Sequence, residues 1–213
     1  MEQTPASRPL VLVTNDDSIS APGLHVLTAL AAEWADVVCV APRRPQSGKS
    51  SALTVTDALR VIEEHPAEAV PGVKYYSVDN GTPVDCVKLA LYSIAPRRPD
   101  FIFSGINHGS NSGTNVLYSG TMGAAIEGAV ESIPSAGFSL LHHAMDADFS
   151  LSEKFVRDIM EKMRRNPPRP GVCLNVNIPA GVVPLGVRAC RACRGRWNEG
   201  YKRYTSPMGH DFY

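Results

Sequence analysis

The chain alternates short, almost wholly apolar runs with stretches of helical spacing. Leu10–Thr14 (LVLVT) is apolar up to its last residue, the pattern of a strand covered on both faces. Pro22 and Gly23 then open a helix whose apolar positions Leu24, Leu27, Ala31 and Trp34 share one face. Residues 36–41 (DVVCVA) form a second buried strand, and a strand–helix–strand run predicts a parallel pair with a right-handed crossover. Residues 59–64 and 73–78 read as further strands, a place for an antiparallel excursion. Thr82, Pro83 and Asp85 mark a helix start: a capping hydroxyl, a proline at the first helical position and a carboxylate that closes a capping box. Val87, Ala90, Leu91 and Ile94 are its buried stripe.

Residues 100–104 (DFIFS) form another strand, feeding a Gly/Asn/Ser-rich loop over 105–118. A helix follows with Met122, Ala125, Ile126, Ala129 and Val130 on one face. Residues 134–140 read as a strand, Phe155, Ile159 and Met163 as a helix ending before Pro167, and 172–178 as the last strong strand. From Ala189 onward the text is basic and aromatic without periodicity. The prediction is a doubly wound, mostly parallel α/β domain over 1–188 and a C-terminal extension over 189–213. Ligands in such sheets sit beyond the carboxyl ends of the parallel strands. Three polar loops leave those ends, at 15–21, 42–53 and 105–118, and fold logic predicts that they converge.

Charge narrows the function classes. The 213 residues hold 21 Lys+Arg and 21 Asp+Glu, so the formal net charge is zero. A dedicated nucleic-acid binder needs a basic surface to displace counterions, and the charge balance argues against that class. Five cysteines, an odd number with Cys39 and Cys173 in apolar runs, predict a reduced interior rather than a disulfide framework. Cys190 and Cys193 make a lone C-x-x-C with no second ligand pair, which reads as incidental thiols. No run approaches the roughly 20 apolar residues of a membrane span, and residues 1–9 lack a signal-type apolar stretch. A cytoplasmic protein is expected.

The loops carry the candidate chemistry. Asn15, Asp16 and Asp17 follow the first strand directly. Adjacent carboxylates repel unless a positive group lies between them, and a hard cation such as Mg²⁺ or Mn²⁺ takes oxygen ligands of this kind. A polar turn with an aspartate capping the next helix is the structural alternative. In the second loop, Ser47-Gly48-Lys49-Ser50 departs from a nucleotide-binding P-loop because position 43 is Arg43, not glycine. Ser47 remains a candidate oxygen ligand, and Lys49 either a phosphate contact or a solvated lysine. The third loop (SGINHGSNSG, 104–113) lacks the order of a dinucleotide fingerprint but offers Asn107 and Asn111 as neutral ligands and donors. His108 is either a general acid or simply exposed. Ser119, Gly120 and Thr121 open a helix, and a helix N-terminus is a ready phosphate site.

The stretches LVTNDDSISAPGL, APRRPQSGKSSALT, GTPVDCVKLAL, SGINHGSNSG and YSGTMGAAIEGA, with the late GRWNEGYKRYTSPMGHDFY, together resemble the SurE family, the survival-protein-E 5′-nucleotidases. The resemblance implies a Rossmann-like core and hydrolysis of nucleoside 5′-monophosphates, with 3′-monophosphates and short polyphosphate as further substrates. It implies one divalent cation, Mg²⁺ or Mn²⁺, on Asp16, Asp17, Ser47 and Asn107, with Asp16 and Asp17 catalytic. It implies phosphate binding by Ser119, Gly120 and Thr121, with Asn15, Asn111 and Lys49 beside them. Two positions depart from the usual family pattern, Ser18 for glycine and Asn115 for aspartate. The family usually continues past Tyr213, so the resemblance also implies a truncated chain.

Two rivals carry different chemistry. An aspartyl-phosphate phosphatase with Asp16 as nucleophile would place a second aspartate at position 18, which is Ser18. A non-catalytic nucleotide- and metal-binding regulator is the reading if truncation abolishes turnover. In the tail, Arg188, Arg191, Arg194, Arg196, Lys202 and Arg203 interleave with Trp197, Tyr201, Tyr204, Phe212 and Tyr213. Arginine and aromatics suit either single-stranded nucleic acid or a subunit interface. Zero net charge and the resemblance favour an oligomerisation arm. A homodimer or homotetramer is expected, with residues after about Gly195 crossing to the partner.

Overall fold

The computed structural model describes residues 8–142 and 147–213. The parallel strands β1 (Leu10–Thr14), β2 (Asp36–Pro42) and β4 (Lys74–Asp79), with β3 (Arg60–Glu64), form one half of a sheet. β5 (Phe101–His108), β6 (Ser135–Leu141) and β7 (Cys173–Pro179) form the other, in the order β3-β4-β2-β1-β5-β6-β7. Every pairing is parallel except β3 with β4, so the antiparallel excursion lies at that edge.

Both faces are covered, as apolar strands require. On one face α1 (Pro22–Ala32) and α4 (Ser150–Arg165) bury Leu24, Leu27, Val156, Ile159 and Met163 against Val11, Val13, Phe103 and Phe138. On the other, α2 (Pro83–Leu89) and α3 (Gly120–Val130) contribute Cys86, Val87 and Ala124 against Leu10, Leu12, Val40 and Ile102. The capping box of α2 is present in both directions: Thr82 Oγ1 accepts from Asp85 N–H (3.1 Å) and Asp85 Oδ2 accepts from Thr82 N–H (2.9 Å).

Three boundaries differ from expectation for local reasons. Trp34 lies past the end of α1, where Trp34 N–H bonds Ala31 O (3.2 Å) in the turn into β2, and its ring packs edge-on against Phe101 (5.6 Å). The helix from Pro83 loosens into a π-helical turn over Ala90–Ile94. β5 runs on to His108, four residues into the expected loop, because pairing with β6 resumes at Asn107↔Ser139 after a register shift between Ser104 and Asn107. This bulge places Asn107 and His108 at the carboxyl edge of the sheet. The loop beyond contains a 3₁₀ turn, Gly113–Tyr118.

Among the described residues, no helix is long and apolar enough to cross a membrane. Residues 183–203 carry no helix or strand, and β8 (Tyr204–Thr205) pairs with β9 (Asp211–Phe212) in a short hairpin. Gly195 and Trp197 dock on the chain's own third loop: Thr114 Oγ1 donates to Gly195 O (2.7 Å) and Trp197 Nε1 to Asn115 Oδ1 (2.8 Å).

The packing of α1 on β5 depends on Gly23, where a Cβ would come within 2.1 Å of Ile106 O and 3.2 Å of Phe149 Cζ. Overpacking against backbone costs about 1–3 kcal/mol. Gly23→Ala should lower the urea midpoint accordingly while the far-ultraviolet circular dichroism keeps its α/β shape. An unchanged midpoint would show that the contact yields freely.

Candidate functional site

The strand order reverses at β1. The chain leaves β1 through α1 to β2 on one side and returns to β5 on the other, so a crevice opens beyond the carboxyl ends of β1 and β5. Asn15, Asp16 and Asp17 leave β1 there, beside Asn107 and His108 at the end of β5.

Asp16 is 4% exposed. Its Oδ1 accepts the Thr121 hydroxyl hydrogen bond, and Gly120 makes room for it: a Cβ at Gly120 would lie 2.7 Å from Asp16 Cβ. The N-terminus of α3 therefore serves the carboxylate directly, with Ser119 capping the helix through Met122 N–H (3.0 Å). Burial pushes the Asp16 carboxyl up to about 6. The Thr121 hydrogen bond opposes that rise, the neighbouring Asp17 charge adds to it, and backbone hydrogen bonds from Asp16 and Gly120 oppose it.

Asp17 is held from β5. Its Oδ2 accepts the His108 backbone N–H (3.2 Å) and lies 3.1 Å from His108 Nδ1. The imidazole is buried rather than exposed, its ring edge-on to Phe149 at 5.3 Å. With Nδ1 turned to the Asp17 carboxylate, Nε2 is buried without a hydrogen-bond partner among the described residues. The turn between is tight. Asn15 Nδ2 donates to Ser18 O (2.8 Å), and Ser18 sits at φ 98°, a conformation that costs a non-glycine residue about 1–3 kcal/mol.

The second loop is tied in by Gln46 N–H to Asp16 O (2.7 Å). Ser47 follows that tie but is exposed, as is Lys49, and neither side chain has a hydrogen bond or ion pair among the described residues. Asn107 is more constrained. Its Nδ2 donates to Gly109 O (2.9 Å) and His108 O (3.2 Å), which turns Oδ1 away from the loop's own carbonyls. Asn111 is locked on every side: Nδ2 to Ser139 Oγ (2.8 Å), N–H to Asn177 Oδ1 (2.9 Å), and O from Asn175 Nδ2 (2.8 Å). Asn175 and Asn177 were not among the expected site residues. Two amides at alternate positions of an otherwise apolar strand are the signal that points to them.

Four buried polar atoms at this edge lack hydrogen-bond partners among the described residues: Thr14 Oγ1, Asn15 Oδ1, Ser104 Oγ and His108 Nε2. Thr14 and Ser104 face each other across the β1–β5 register. Native interiors leave few such atoms, so this cluster marks where a bound group belongs. No Lys or Arg pairs with Asp16 or Asp17 among the described residues, and none of these residues form a cluster of three or more His, Cys, Asp or Glu suited to a metal. A cation here could be held by two carboxylates and neutral Asn and Ser oxygens, a donor set that fits Mg²⁺ or Mn²⁺ and not a soft metal. A cavity of about 400 Å³ lined by Leu53, Val55, Leu59, Lys88 and Tyr92 shares no residue with this cluster and offers mostly apolar wall.

The family model described as survival protein SurE matches residues 11–199. The chain is 45% identical over 208 residues to 5′-nucleotidase SurE of Christiangramia forsetii, covering 97% of this chain and 79% of that protein. It is 44% identical over 210 residues to 5′-nucleotidase SurE of Cytophaga hutchinsonii, covering 97% and 80%. The crystal structure of the SurE protein from Aquifex aeolicus superposes with a TM-score of 0.81 at 34% identity, covering 96% of this chain and 81% of that one.

The buried carboxylate has a thermodynamic signature. The Asp16 carboxyl lies near 6 in the folded protein against an ordinary 3.8, so the folded state binds its proton more tightly between those values. Its contribution to stability is fully present below about pH 4 and is lost as pH rises through about 6, on the order of 3 kcal/mol in all. In chelator-treated protein, Asp16→Asn should become more stable than the parent progressively across that window. Parallel denaturation curves for the two proteins from pH 4 to pH 7 would refute the assignment.

Proposed function

The chain belongs to the survival protein SurE family, and from that premise we propose that it is a divalent-cation-dependent 5′-nucleotidase. It cleaves nucleoside 5′-monophosphates to nucleoside and phosphate. The observation that carries this reading is the carboxylate pair at the switch point, with Asp16 buried against the start of α3 and Asp17 pinned by His108. Asp16, Asp17, Asn107 and Ser47 would hold the cation, with Ser47 the residue that must turn inward from its exposed loop. Such a cation supplies charge neutralisation on the phosphoryl oxygens and acidifies the attacking water.

The chain's own groups do the rest. Asp16 takes a proton from the water as the water oxygen forms a bond to phosphorus and the P–O5′ bond breaks, and that proton passes on to O5′, so the nucleoside leaves as its alcohol and phosphate remains. The N–H groups and hydroxyls of Ser119, Gly120 and Thr121, with the Asn15 and Asn111 amides, orient the phosphate and stabilise its developing charge. Lys49, exposed at the mouth, contributes binding alone. Both 3′-monophosphates and short polyphosphate present the same terminal phosphoryl group and are further substrates of this reading. Beyond Trp197 the exposed aromatics Tyr201, Phe212 and Tyr213 form the arm through which we infer at least a homodimer.

Phosphate release from AMP tests the proposal. It should stop in chelator and return with Mg²⁺ or Mn²⁺, and Asp17→Asn should cut turnover by about 10² or more at saturating metal. Near-parental turnover in Asp16→Asn or Asp17→Asn overturns the cation assignment. A burst of labelled phosphoenzyme would establish an aspartyl-phosphate route, and metal-dependent nucleotide binding without turnover a regulator.

Lys49→Ala should raise KM and leave kcat close to the parental value, the pattern of uniform binding lost. Unchanged kinetics would make Lys49 a solvated lysine.

A further inference from the structure

Tyr118 and Trp197 come together from far apart in the chain at the rim of this site. Their ring centroids are 4.9 Å apart with planes inclined at 42°, and Tyr118 is 44% and Trp197 51% exposed. Neither ring is loosely placed. The Trp197 indole N–H donates to Asn115 Oδ1 (2.8 Å), and the Asn115 amide nitrogen donates to Ser110 O (3.0 Å). An aspartate at position 115 could accept the first bond but could not donate the second, so the asparagine clamps the tryptophan to the third loop. One residue before Tyr118, Leu117 O accepts a hydrogen bond from Ser50 Oγ (2.6 Å), joining the second loop to the same rim.

The position of the pair relative to the chemistry is set by the chain. Tyr118 directly precedes Ser119, the N-cap of α3, and Gly120 and Thr121 already touch Asp16. A phosphate at the start of α3 therefore has its sugar and base within reach of a residue one Cα step, about 3.8 Å, from the cap. Two half-exposed aromatic faces at that distance are the surface on which a flat heterocycle stacks. Stacking is tolerant of base identity because every base has a π-face, and the purines have the larger one.

We propose that Tyr118 and Trp197 form a stacking platform for the nucleobase of the substrate, clamped in place by Asn115. This rests on the nucleotidase reading and deepens it. The platform makes the enzyme prefer nucleotides over other phosphomonoesters without reading base edges, since the Asn115 amide is committed to Trp197 and Ser110. Purine nucleotides bind more tightly than pyrimidine nucleotides.

The test compares AMP with ribose 5-phosphate, which carries the same phosphate and sugar without a base. Trp197→Ala should lower the ratio of kcat/KM for AMP to that for ribose 5-phosphate about tenfold, chiefly through the KM for AMP. Trp197→Phe, which keeps a ring, should restore most of the ratio. Equal losses on both substrates would show that Trp197 only braces the loop, and parental kcat/KM on both would show that the base lies elsewhere; either overturns the proposal. A second readout needs no turnover. Adenosine should quench tryptophan fluorescence saturably in the parent protein and not in Trp197→Phe, where the other tryptophan, Trp34, remains. Quenching that survives in Trp197→Phe overturns the platform. Quenching confined to Trp197 in a protein that does not hydrolyse AMP supports the platform and refutes the nucleotidase reading.

Discussion

The Asp16 carboxylate buried at the N-terminus of α3 is the constraint on which the rest of the site depends. A carboxylate so far from solvent is costly, and the cost is offset only by partners at fixed positions: the Thr121 hydroxyl, the Gly120 backbone and the positive end of the helix. Those partners demand that α3 start where it does. Gly120 can approach because it has no side chain, and Ser119 caps the helix so that its first turn is not left unsatisfied. The metal-free protein thus holds an arrangement that opposes its own stability near neutral pH. A cation bound between Asp16 and Asp17, as proposed, would relieve that cost.

The sheet turns this local arrangement into a meeting of three loops. Asp16 and Asp17 leave β1 at the reversal of strand order, and the bulge in β5 delivers His108 to Asp17 from the neighbouring strand. The Gln46–Asp16 backbone bond brings the second loop, and Ser50 fastens it to Leu117 of the third. Each tie is made by a backbone group or a short side chain, so the crevice is defined by main-chain placement before any substrate enters.

Much of this was legible in the residues. Leu10–Thr14 reads as a doubly covered strand because it has no polar face to offer water, and both core clusters contain it. Thr82, Pro83 and Asp85 announce their helix because capping chemistry is local. What escaped was tertiary. The continuation of β5 through Gly105 to His108 depends on β6 accepting its hydrogen bonds after a register shift, and glycine and asparagine in that stretch read locally as loop. The burial of His108 depends on Phe149, more than forty residues on in roughly the sequence count, which no local pattern reveals. Asn175 and Asn177 were hidden inside a strand assigned by its apolar majority. Ser47 is the converse case: its candidacy came from residue type and resemblance, and its side chain stands free at the surface.

The amide ladder has a consequence for how the protein would fail under heat. Asn111 is fixed by Asn175 and Asn177, and both stand on β7, which is the outer strand of the sheet with a single neighbour, β6. Edge strands open at lower free energy than central ones. Fraying of β7 would release Asn111 while β1, β2 and β5 remain paired, so the crevice would lose one wall before the core melts. With Asn111 in the phosphate-binding role proposed for it, inactivation would then precede global unfolding, and the lifetime of the working enzyme would be set at its margin rather than in its centre.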